Sequence, residues 1–424
     1  MIRDPSKRKI NAVYEENLPQ ITLIKHWHTL DCQLITPMYG GGVISTKVDT
    51  AMPIRVSSIR GQLRFWWRLL AKYQWQLGSD QAIRKAEFEL WGGMNDGEDN
   101  GKASKVLLKV TQVPTLHDNH LIKYDDANLN GLRYILFPAY HAKDITNNLH
   151  HLLKADITWQ LQFSFSPNIL SNYDKTANNK PNPKEQVIET LRWWANFGGL
   201  GFRSRRGLGA VYVSQCQDYP KICQPLTPDE VAKAGCQLAI SQNNPTDGLR
   251  ALKIAVKKLS NFRQAADVGR NPPSRQAVSE NKPAGRSRWP EPDALRRIQG
   301  NLGYDRRHEP EHKAGNVFAR AVFGLPILFQ SQEKAVNATV EPAFGDRLAS
   351  PLILRPIYAG HRNGQPQWQA GALVLPYEHI LKKQVKIGNH CYPMWQDDAA
   401  QNIIPVRDNG GGDPLQAFLR YFKK

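Results

Sequence analysis

The sequence has few cysteines, a deficit of acidic side chains and no long apolar segment. Five cysteines in 424 residues are too sparse for a disulfide scaffold and favour a reducing, cytoplasmic setting. No run of about 18 apolar residues occurs, and the first ten residues, MIRDPSKRKI, lack the apolar core of a secretion signal. We therefore expect a cytoplasmic protein that does not cross a membrane.

The deficit of acidic residues leaves a large positive charge. Lys and Arg number 56 against 38 Asp and Glu, so the formal net charge is +18 and the pI is about 9.6. A charge of this size favours a polyanionic partner. Apolar residues make up 41% of the chain and tryptophans number 11, which is enough for a packed core and argues against a basic tail. The length predicts two or three domains.

Residues 57–70, SSIRGQLRFWWRLL, have the periodicity of an amphipathic helix. Arg60, Arg64 and Arg68 fall within about 80° of one another at about 100° per residue, and so form a basic stripe. The opposite side is apolar, with Leu63, Trp66, Leu69, Leu70 and Tyr73. Such a stripe alone is often only a solvated surface. A second arginine cluster, far away in sequence, favours a polyanion-binding site instead.

That second cluster is a glycine-rich loop, residues 198–209, GGLGFRSRRGLG. Glycine lets the backbone approach a ligand closely, consecutive amides can bind an anion, and arginines bind phosphate through charge-assisted hydrogen bonds. The loop has no Walker lysine and joins a helix to a strand, which is the reverse of a dinucleotide fingerprint. The candidate polyanion-binding residues are Arg55, Arg60, Arg64, Arg68, Gly199, Gly201, Arg203, Arg205, Arg206 and Gly207, with Arg286 and Arg288 as weaker candidates.

The order of predicted elements places the chain in the α+β class. In the first half we expect strands at 21–35, 105–113, 133–140, 157–165 and 208–213, and helices at 58–75 and 184–197. With one extra strand, this is the β-α-β-β-α-β order of the ferredoxin-like fold, whose antiparallel sheet RNA-recognition modules also use. In the second half we expect helices at 293–299 and 414–422, strands at 352–358 and 369–375, and a compact apolar segment at 318–329.

A proline-rich linker near residue 220 divides the chain into two predicted domains. The first covers 1–220 and contains the arginine helix and the glycine-rich loop. The second covers 221–424 and is a more divergent sheet-and-helix unit. It includes a segment rich in Arg, Pro, Ser and Asn at 263–292, for which we predict a long basic loop.

Several segments of the chain resemble the RAMP superfamily of CRISPR effector proteins. In their order and residue patterns these segments are most similar to the family of the first subunit of the type III-B Cmr module. The segments are TPMYGGG (36–42), PIRVSSIRGQLRFWWR (53–68), ELWGG (89–93), GGLGFRSRRGLGAV (198–211), GRSRWPEPDALRRI (285–298), FGLPILF (323–329) and RLASPLILRP (347–356). The glycine-rich loop is common to the superfamily, whereas the arginine helix and the GRSRWPE segment are narrower.

This resemblance implies a fold, a function and partners. It implies tandem ferredoxin-like (RRM-like) domains with antiparallel sheets and insertions. It implies a subunit of a ribonucleoprotein that binds CRISPR RNA and target RNA near the 3′ end of the guide, together with other Cmr-module subunits. Cutting of target RNA belongs to a different subunit of such complexes, so we expect no enzymatic activity, no cofactor and no metal.

Three groups of histidines or cysteines in the sequence are candidates for a catalytic or metal site. His308 to His312 reads H-E-x-x-H, but Pro310 in its middle disrupts the helix that a zinc protease needs. Cys216, Cys223 and Cys236 lack C-x-x-C spacing, which favours free thiols. His26 and His28 share one face of a predicted strand and could act as general acid or base. The alternative function is therefore a metal-independent endoribonuclease that processes CRISPR RNA.

Apolar side chains offer two further candidates for contact. Trp67 and Trp193 are the members of their tryptophan pairs that could be partly exposed for base stacking, although packing in the core or against a subunit is the favoured alternative. Residues 323–329 could dock a neighbouring subunit.

Overall fold

The computed structural model of the protein describes residues 26–42, 47–94, 101–141, 151–171, 180–272, 285–300, 311–330 and 337–424. Its helices are α1 (Val56–Leu69), α2 (Asp80–Trp91), α3 (Arg133–His141), α4 (Pro183–Phe197), α5 (Pro228–Lys233), α6 (Gly248–Gln264), α7 (Glu291–Ile298), α8 (Glu378–Leu381), α9 (Ile404–Arg407) and α10 (Pro414–Lys423). Its strands are β1 (His28–Leu34), β2 (Met38–Tyr39), β3 (Val106–Thr111), β4 (Leu121–Lys123), β5 (His151–Leu153), β6 (Thr158–Phe165), β7 (Val211–Gln215), β8 (Gln237–Ile240), β9 (Ile327–Phe329), β10 (Ala338–Pro342), β11 (Leu352–Arg362), β12 (Gln365–Val374), β13 (Gln384–Ile387) and β14 (His390–Pro393).

The first half is built around a four-stranded sheet in the order β3-β6-β1-β7. Every neighbouring pair in it is antiparallel. Helix α1 lies between β1 and β3 in the chain and α4 lies between β6 and β7, so the element order and the strand order are those of a split βαβ unit. The two helices contact each other and strands of this sheet. The predicted α+β class with antiparallel sheets is confirmed.

The core of this half lies under α1 and α4. Strand β6 contributes Trp159, Leu161 and Phe163, which alternate with more exposed residues as expected for a half-buried strand. Helix α1 continues through a π-helical turn, Leu70–Gln74, so its extent matches the predicted 58–75. Helix α4 begins with a capping box between Asn182 and Glu185, in which both side chains satisfy free backbone amides.

The second half contains a three-stranded antiparallel sheet in the order β11-β12-β8. Helix α6 packs on β11 and β12, and α10 packs on α6 and β8. Within the described residues this sheet has no fourth strand, so it is smaller than the sheet of the first half. Two further small sheets have the orders β14-β13-β10-β9 and β2-β5-β4. No helix in the described part of the chain is both long and apolar enough to span a membrane.

One predicted element has the wrong type. The segment 133–140 is expected to be a strand, but it is the helix α3. The buried side chains Leu132, Ile135 and Leu136 are spaced three and four residues apart, which places them on one face of a helix. The run of β-branched and aromatic residues obscured this helical spacing in the sequence.

The two tryptophans considered for base stacking lie in the core. Trp67 and Trp193 are both 0% exposed, because α4 packs against α1 and covers the side of each helix that a free helix would expose. The Trp67 indole donates a hydrogen bond to Gln186 Oε1 at 3.0 Å. In the segment 323–329, Phe323 belongs to the core and Leu328 is the exposed large apolar side chain. The burial of both tryptophans agrees with the favoured prediction of packing and leaves no ring face for base stacking. Docking of a neighbouring subunit by 323–329 stays a prediction.

Parts of three predicted features lie outside the described residues. They are the start of the predicted first strand (21–25), the centre of the predicted basic loop (273–284) and the histidine-containing segment that includes His308 (301–310). The predicted loop 263–292 overlaps the end of α6 at Gln264 and the start of α7 at Glu291. Its other described residues, 265–272 and 285–290, belong to no helix and to no named strand.

Candidate nucleic-acid interface

Helix α1 carries the first arginine cluster at its exposed side. The residue before its first turn is Arg55, and no serine side chain caps the helix. Arg55 instead forms an ion pair with Asp49. The hydrogen bond from Arg55 lowers the pKa of the Asp49 carboxyl below its usual range. The charge of Arg55 is therefore matched locally.

Glu87 of α2 binds two arginines of the stripe. Arg64 Nε lies 2.7 Å and Arg68 Nη1 lies 2.6 Å from the same oxygen, Glu87 Oε1. Glu87 is 6% exposed, so the pairing is shielded on the carboxylate side, whereas Arg68 remains exposed. One negative charge thus serves two positive charges, and the group keeps a net positive charge.

Arg60 has no hydrogen-bond or ion-pair partner within the described residues. It is partly buried, and desolvation together with the positive charge of Arg64 lowers the pKa of its guanidinium. Burial has removed part of the hydration of the Arg60 guanidinium. A bound anion would compensate for this loss by pairing with the charge. Arg60 is therefore the member of the α1 stripe most available to a ligand.

The glycine-rich loop folds tightly between β2 and the second half. Gly201 has φ of 75°, and a Cβ there would lie 2.6 Å from Met38 Cγ and from the Tyr39 carbonyl oxygen. Gly207 has φ of 88°, and a Cβ there would lie 2.3 Å from Leu252 Cδ1. These two glycines are needed for backbone conformation and close packing. The sequence suggested a cradle open to an anion, but at these positions the loop contacts the protein itself.

Arg206 joins the glycine-rich loop to the second half. Its guanidinium donates to Phe323 O at 2.8 Å, Leu352 O at 3.2 Å and Ser350 Oγ at 3.0 Å. Burial lowers the pKa of Arg206 to about 10. Because both terminal nitrogens are used inside the protein, the geometry gives this predicted phosphate-binding residue a structural role.

Arg205 brings the two arginine clusters together. Its guanidinium lies over the ring of Phe65 on α1, with 5.2 Å from the guanidinium carbon to the ring centroid. Arg205 Nη1 also donates to Ser350 O, so the other N–H groups of the guanidinium remain available to a ligand. Phe65 is adjacent to Arg64 and three residues before Arg68, so the loop meets the helix beside the basic stripe.

Arg203 lies at the tip of the loop in the left-handed region, with φ of 63°. Its side chain has no hydrogen-bond partner within the described residues, and burial lowers the pKa of its guanidinium, with a further contribution from the positive charge of Arg347. Arg347 is exposed and belongs to a segment that the sequence singled out only for its family resemblance. Its position in the basic surface could not be predicted, because 144 residues separate it from Arg203.

The weaker candidates are occupied by protein groups. Arg286 forms an ion pair with Asp293, and Arg288 Nε donates to Asn271 Oδ1 at 3.0 Å. Nearby, His312 Nε2 lies 3.2 Å from Arg288 O, and burial lowers the pKa of this imidazole. Glu311 and His312 are not part of a helix, so the described end of the H-E-x-x-H segment lacks the geometry of a zinc protease.

The cysteines of the predicted thiol group form no disulfide in the described structure. Cys216 and Cys236 are buried and Cys223 is half-buried. Desolvation raises the pKa of each of these thiols, to about 11 for Cys223 and about 12 for Cys236. A raised pKa keeps the thiol protonated and unreactive at neutral pH.

The histidine pair has a partner that the sequence did not reveal. His28 Nδ1 lies 2.7 Å and His26 Nε2 lies 3.4 Å from Asp218 Oδ2. Asp31, the acidic residue of β1 itself, accepts a hydrogen bond from Gln160 Nε2 at 2.9 Å instead. His28 and Asp218 are 190 positions apart in the sequence, which explains why no spacing pattern predicts this group.

These observations define an α+β protein whose first half is a split βαβ unit with a basic surface beside its first helix. The family model of the RAMP superfamily matches residues 31–212. This part of the chain contains both arginine clusters and the four-stranded sheet, apart from the first residues of β1 and the last residues of β7. The match agrees with the resemblance to the RAMP superfamily predicted from the motifs.

Comparison with other proteins gives distant structural similarities. No curated protein sequence matches the chain. The apo form of Cmr1 from Pyrococcus furiosus has a TM-score of 0.40 and 15% sequence identity, over 82% of this chain and 88% of that chain. A chain of the Type III-B Cmr-beta complex bound to cognate target RNA has a TM-score of 0.42 and 12% identity, over 83% of this chain and 95% of that chain.

Proposed function

We propose that the protein is an RNA-binding structural subunit of a type III-B CRISPR ribonucleoprotein that acts in antiviral defence. In this proposal it holds guide and target RNA near the 3′ end of the guide. The observation that carries the proposal is the contact of Arg205 with Phe65, which joins the basic stripe of α1 to the glycine-rich loop. The RAMP match over residues 31–212 and the motif resemblance to the first-subunit family support it.

The charge balance at this junction supports a phosphate ligand. Glu87 forms ion pairs with both Arg64 and Arg68. Arg60 and Arg203 have no acidic partner in the described part of the chain. Clustered cations repel one another, and a phosphate backbone would both pair with them and release its own counterions. We therefore assign phosphate binding to Arg60, Arg203 and Arg205, with Arg64, Arg68 and Arg347 at the border.

The proposal predicts what the protein associates with in the cell. A tagged copy purified from its native host should carry CRISPR RNA and the other Cmr-module subunits, identified by RNA sequencing and mass spectrometry. The control is the same chain with Arg60, Arg203 and Arg205 replaced by alanine, which should retain protein partners but recover several-fold less RNA. Recovery of the wild-type chain alone, without RNA or partners, would contradict the proposal.

The second candidate function, a metal-independent endoribonuclease, rests on the group His26, His28 and Asp218. An imidazole paired with a carboxylate can act as general acid or base, which typically contributes about 10²–10⁴ in rate. Against it, the same carboxylate oxygen contacts both imidazoles, which holds them in one paired group instead of as a separate acid and base.

We expect the isolated protein to leave RNA intact. Labelled repeat and spacer RNA should be recovered whole after incubation with the wild type, with or without EDTA. The comparison variant is His26→Ala/His28→Ala. Specific cleavage by the wild type that disappears in this double variant would favour the nuclease. Cleavage that persists equally in both would point to a contaminant or to a site elsewhere in the chain.

A further inference from the structure

We infer that His26, His28 and Asp218 form a binding site for a divalent transition metal, of which Zn²⁺ is the best probe. One ligand atom from each of these side chains lies within 4.8 Å of the other two. Both imidazoles approach the same carboxylate oxygen, at 2.7 Å from His28 and 3.4 Å from His26. This convergence of two nitrogens and one oxygen does not depend on the RNA-binding proposal.

The fold places these three residues together. His28 begins β1 and His26 precedes it by two residues, which puts both side chains on one face of the extended chain. Asp218 follows β7 by three residues, and β7 pairs antiparallel with β1. The start of β1 and the end of β7 therefore meet at the same edge, and the carboxylate reaches the two imidazoles from the neighbouring strand.

Neighbouring groups hold the ligands in place. The ring of His28 packs against Phe163 and Tyr219, with centroid distances of 5.0 and 4.8 Å. The backbone of His26 is fixed by a 2.5 Å hydrogen bond from Ser164 Oγ to its carbonyl oxygen. A metal site needs such orientation of its ligands, since small displacements weaken coordination.

The donor set selects the class of metal. Imidazole nitrogens suit Zn²⁺, Co²⁺ and Ni²⁺, whereas Mg²⁺ and Ca²⁺ prefer oxygen ligands. Zinc ligands at bond lengths of about 2.0–2.1 Å lie roughly 3.3 Å apart in a tetrahedron, which is close to the separation of His26 from Asp218. His28 and Asp218 would need to separate by about 0.6 Å, a side-chain adjustment for an exposed carboxylate. Three protein ligands leave a fourth position for water or another ligand.

A hydrogen-bonded group without a metal is the competing explanation. In that explanation the Asp218 carboxylate accepts a hydrogen bond from His28 Nδ1 and needs no metal. The two explanations differ in one measurable property. A metal site binds Zn²⁺ at one equivalent, whereas a plain hydrogen-bonded group does not bind it more tightly than scattered surface histidines do.

The experiment measures Zn²⁺ binding to the full chain by titration calorimetry after treatment with a chelator, with Co²⁺ absorption in the visible range as a second readout. The test variants are His26→Ala/His28→Ala and Asp218→Asn. The matched control is His117→Ala/His120→Ala, which removes another close imidazole pair, with ring centroids 5.9 Å apart. That pair belongs to no group of three possible ligands in the described residues.

We expect one Zn²⁺ per chain with micromolar or tighter affinity in the wild type and in the control. Affinity should fall by about 100-fold or more in His26→Ala/His28→Ala and by at least tenfold in Asp218→Asn, in line with the loss of ligands from a metal site. Asp218 is exposed, and asparagine can still accept a hydrogen bond from His28, so this variant should fold. Equal affinity in wild type and Asp218→Asn, or loss of binding in the control, would overturn the inference.

Discussion

Replacement of Arg355 by methionine is expected to lower the free energy of unfolding by about 3 kcal/mol or more. Arg355 is 2% exposed and donates to three carbonyl oxygens, those of Gly198, Val211 and Pro356, at 2.9, 2.7 and 3.0 Å. Methionine fills similar space but cannot donate. Gly198 O would keep a longer hydrogen bond from Val211 N at 3.4 Å. A buried carbonyl left without its donor costs about 1–3 kcal/mol, and this loss at Val211 and Pro356 outweighs the relief of no longer burying the charge.

Arg355 also connects the two halves of the chain. It belongs to β11, while Gly198 begins the glycine-rich loop and Val211 begins β7. Because desolvation is not offset by an acidic partner, burial lowers the pKa of its guanidinium. The three carbonyl acceptors are what retain this charge inside the protein. Loss of Arg355 should therefore loosen the contact between the glycine-rich loop and the second half.

Urea denaturation followed by tryptophan fluorescence measures this effect. The matched control is Arg362→Met, since Arg362 lies at the exposed end of the same strand and its replacement should change the free energy of unfolding by less than about 0.5 kcal/mol. Arg355→Lys should be intermediate, because one ammonium group cannot reach all three carbonyls. If Arg355→Met unfolds at the same urea concentration as the control, the three hydrogen bonds contribute nothing to stability.

The first half of the fold could be predicted because its signals are local. The arginine helix has an apolar stripe at helical spacing, and apolar residues recur at every second position of β6. Helix α4 has a proline in its first turn and glycine after its last residue, which are strong start and stop signals. The strand predicted at 133–140 is wrong, because the composition of this segment suggests a strand whereas its few buried positions follow the spacing of a helix.

The candidate site could be predicted only in part, because partners distant in sequence decide what each arginine does. Arg206 and Arg205 belong to the same loop and look alike in sequence, but Arg206 meets carbonyls of the second half while Arg205 lies over Phe65. Glu87 could not be recognised as the acid that serves Arg64 and Arg68. The sequence predicts which segments are basic, and the tertiary contacts decide which cations remain available.

The triple variant Arg60→Ala/Arg203→Ala/Arg205→Ala is expected to bind single-stranded RNA on the order of 100-fold more weakly than the wild type at 0.15 M salt. Each charge-assisted contact typically contributes about 1.5–3 kcal/mol before losses to solvent competition. The three residues lie at the junction of α1 with the glycine-rich loop, and none has an acidic partner in the described structure. Arg206 is left unchanged because its removal would disturb the fold. The loss of RNA affinity can therefore be assigned to the surface that α1 and the glycine-rich loop form, and not to unfolding.

The salt dependence of binding gives an independent measure of the same contacts. On single strands the slope of log affinity against log salt is about −0.7 per phosphate neutralised. With four to six arginines engaged, the wild type should show a slope of about −3 to −4, and the triple variant should be flatter by about two. Scrambled RNA of equal length should bind within about tenfold, because phosphate contacts position a strand without reading its bases.

A matched control separates this surface from the overall charge of the protein. Lys382, Lys383 and Lys386 are exposed residues around β13, and their replacement by alanine removes the same three positive charges. If long-range attraction by the net charge of +18 dominates, both triple variants should lose affinity equally. If RNA lies along α1 and the glycine-rich loop, the lysine variant should keep the wild-type slope. An unchanged slope in the arginine variant would remove this surface from the RNA-binding site.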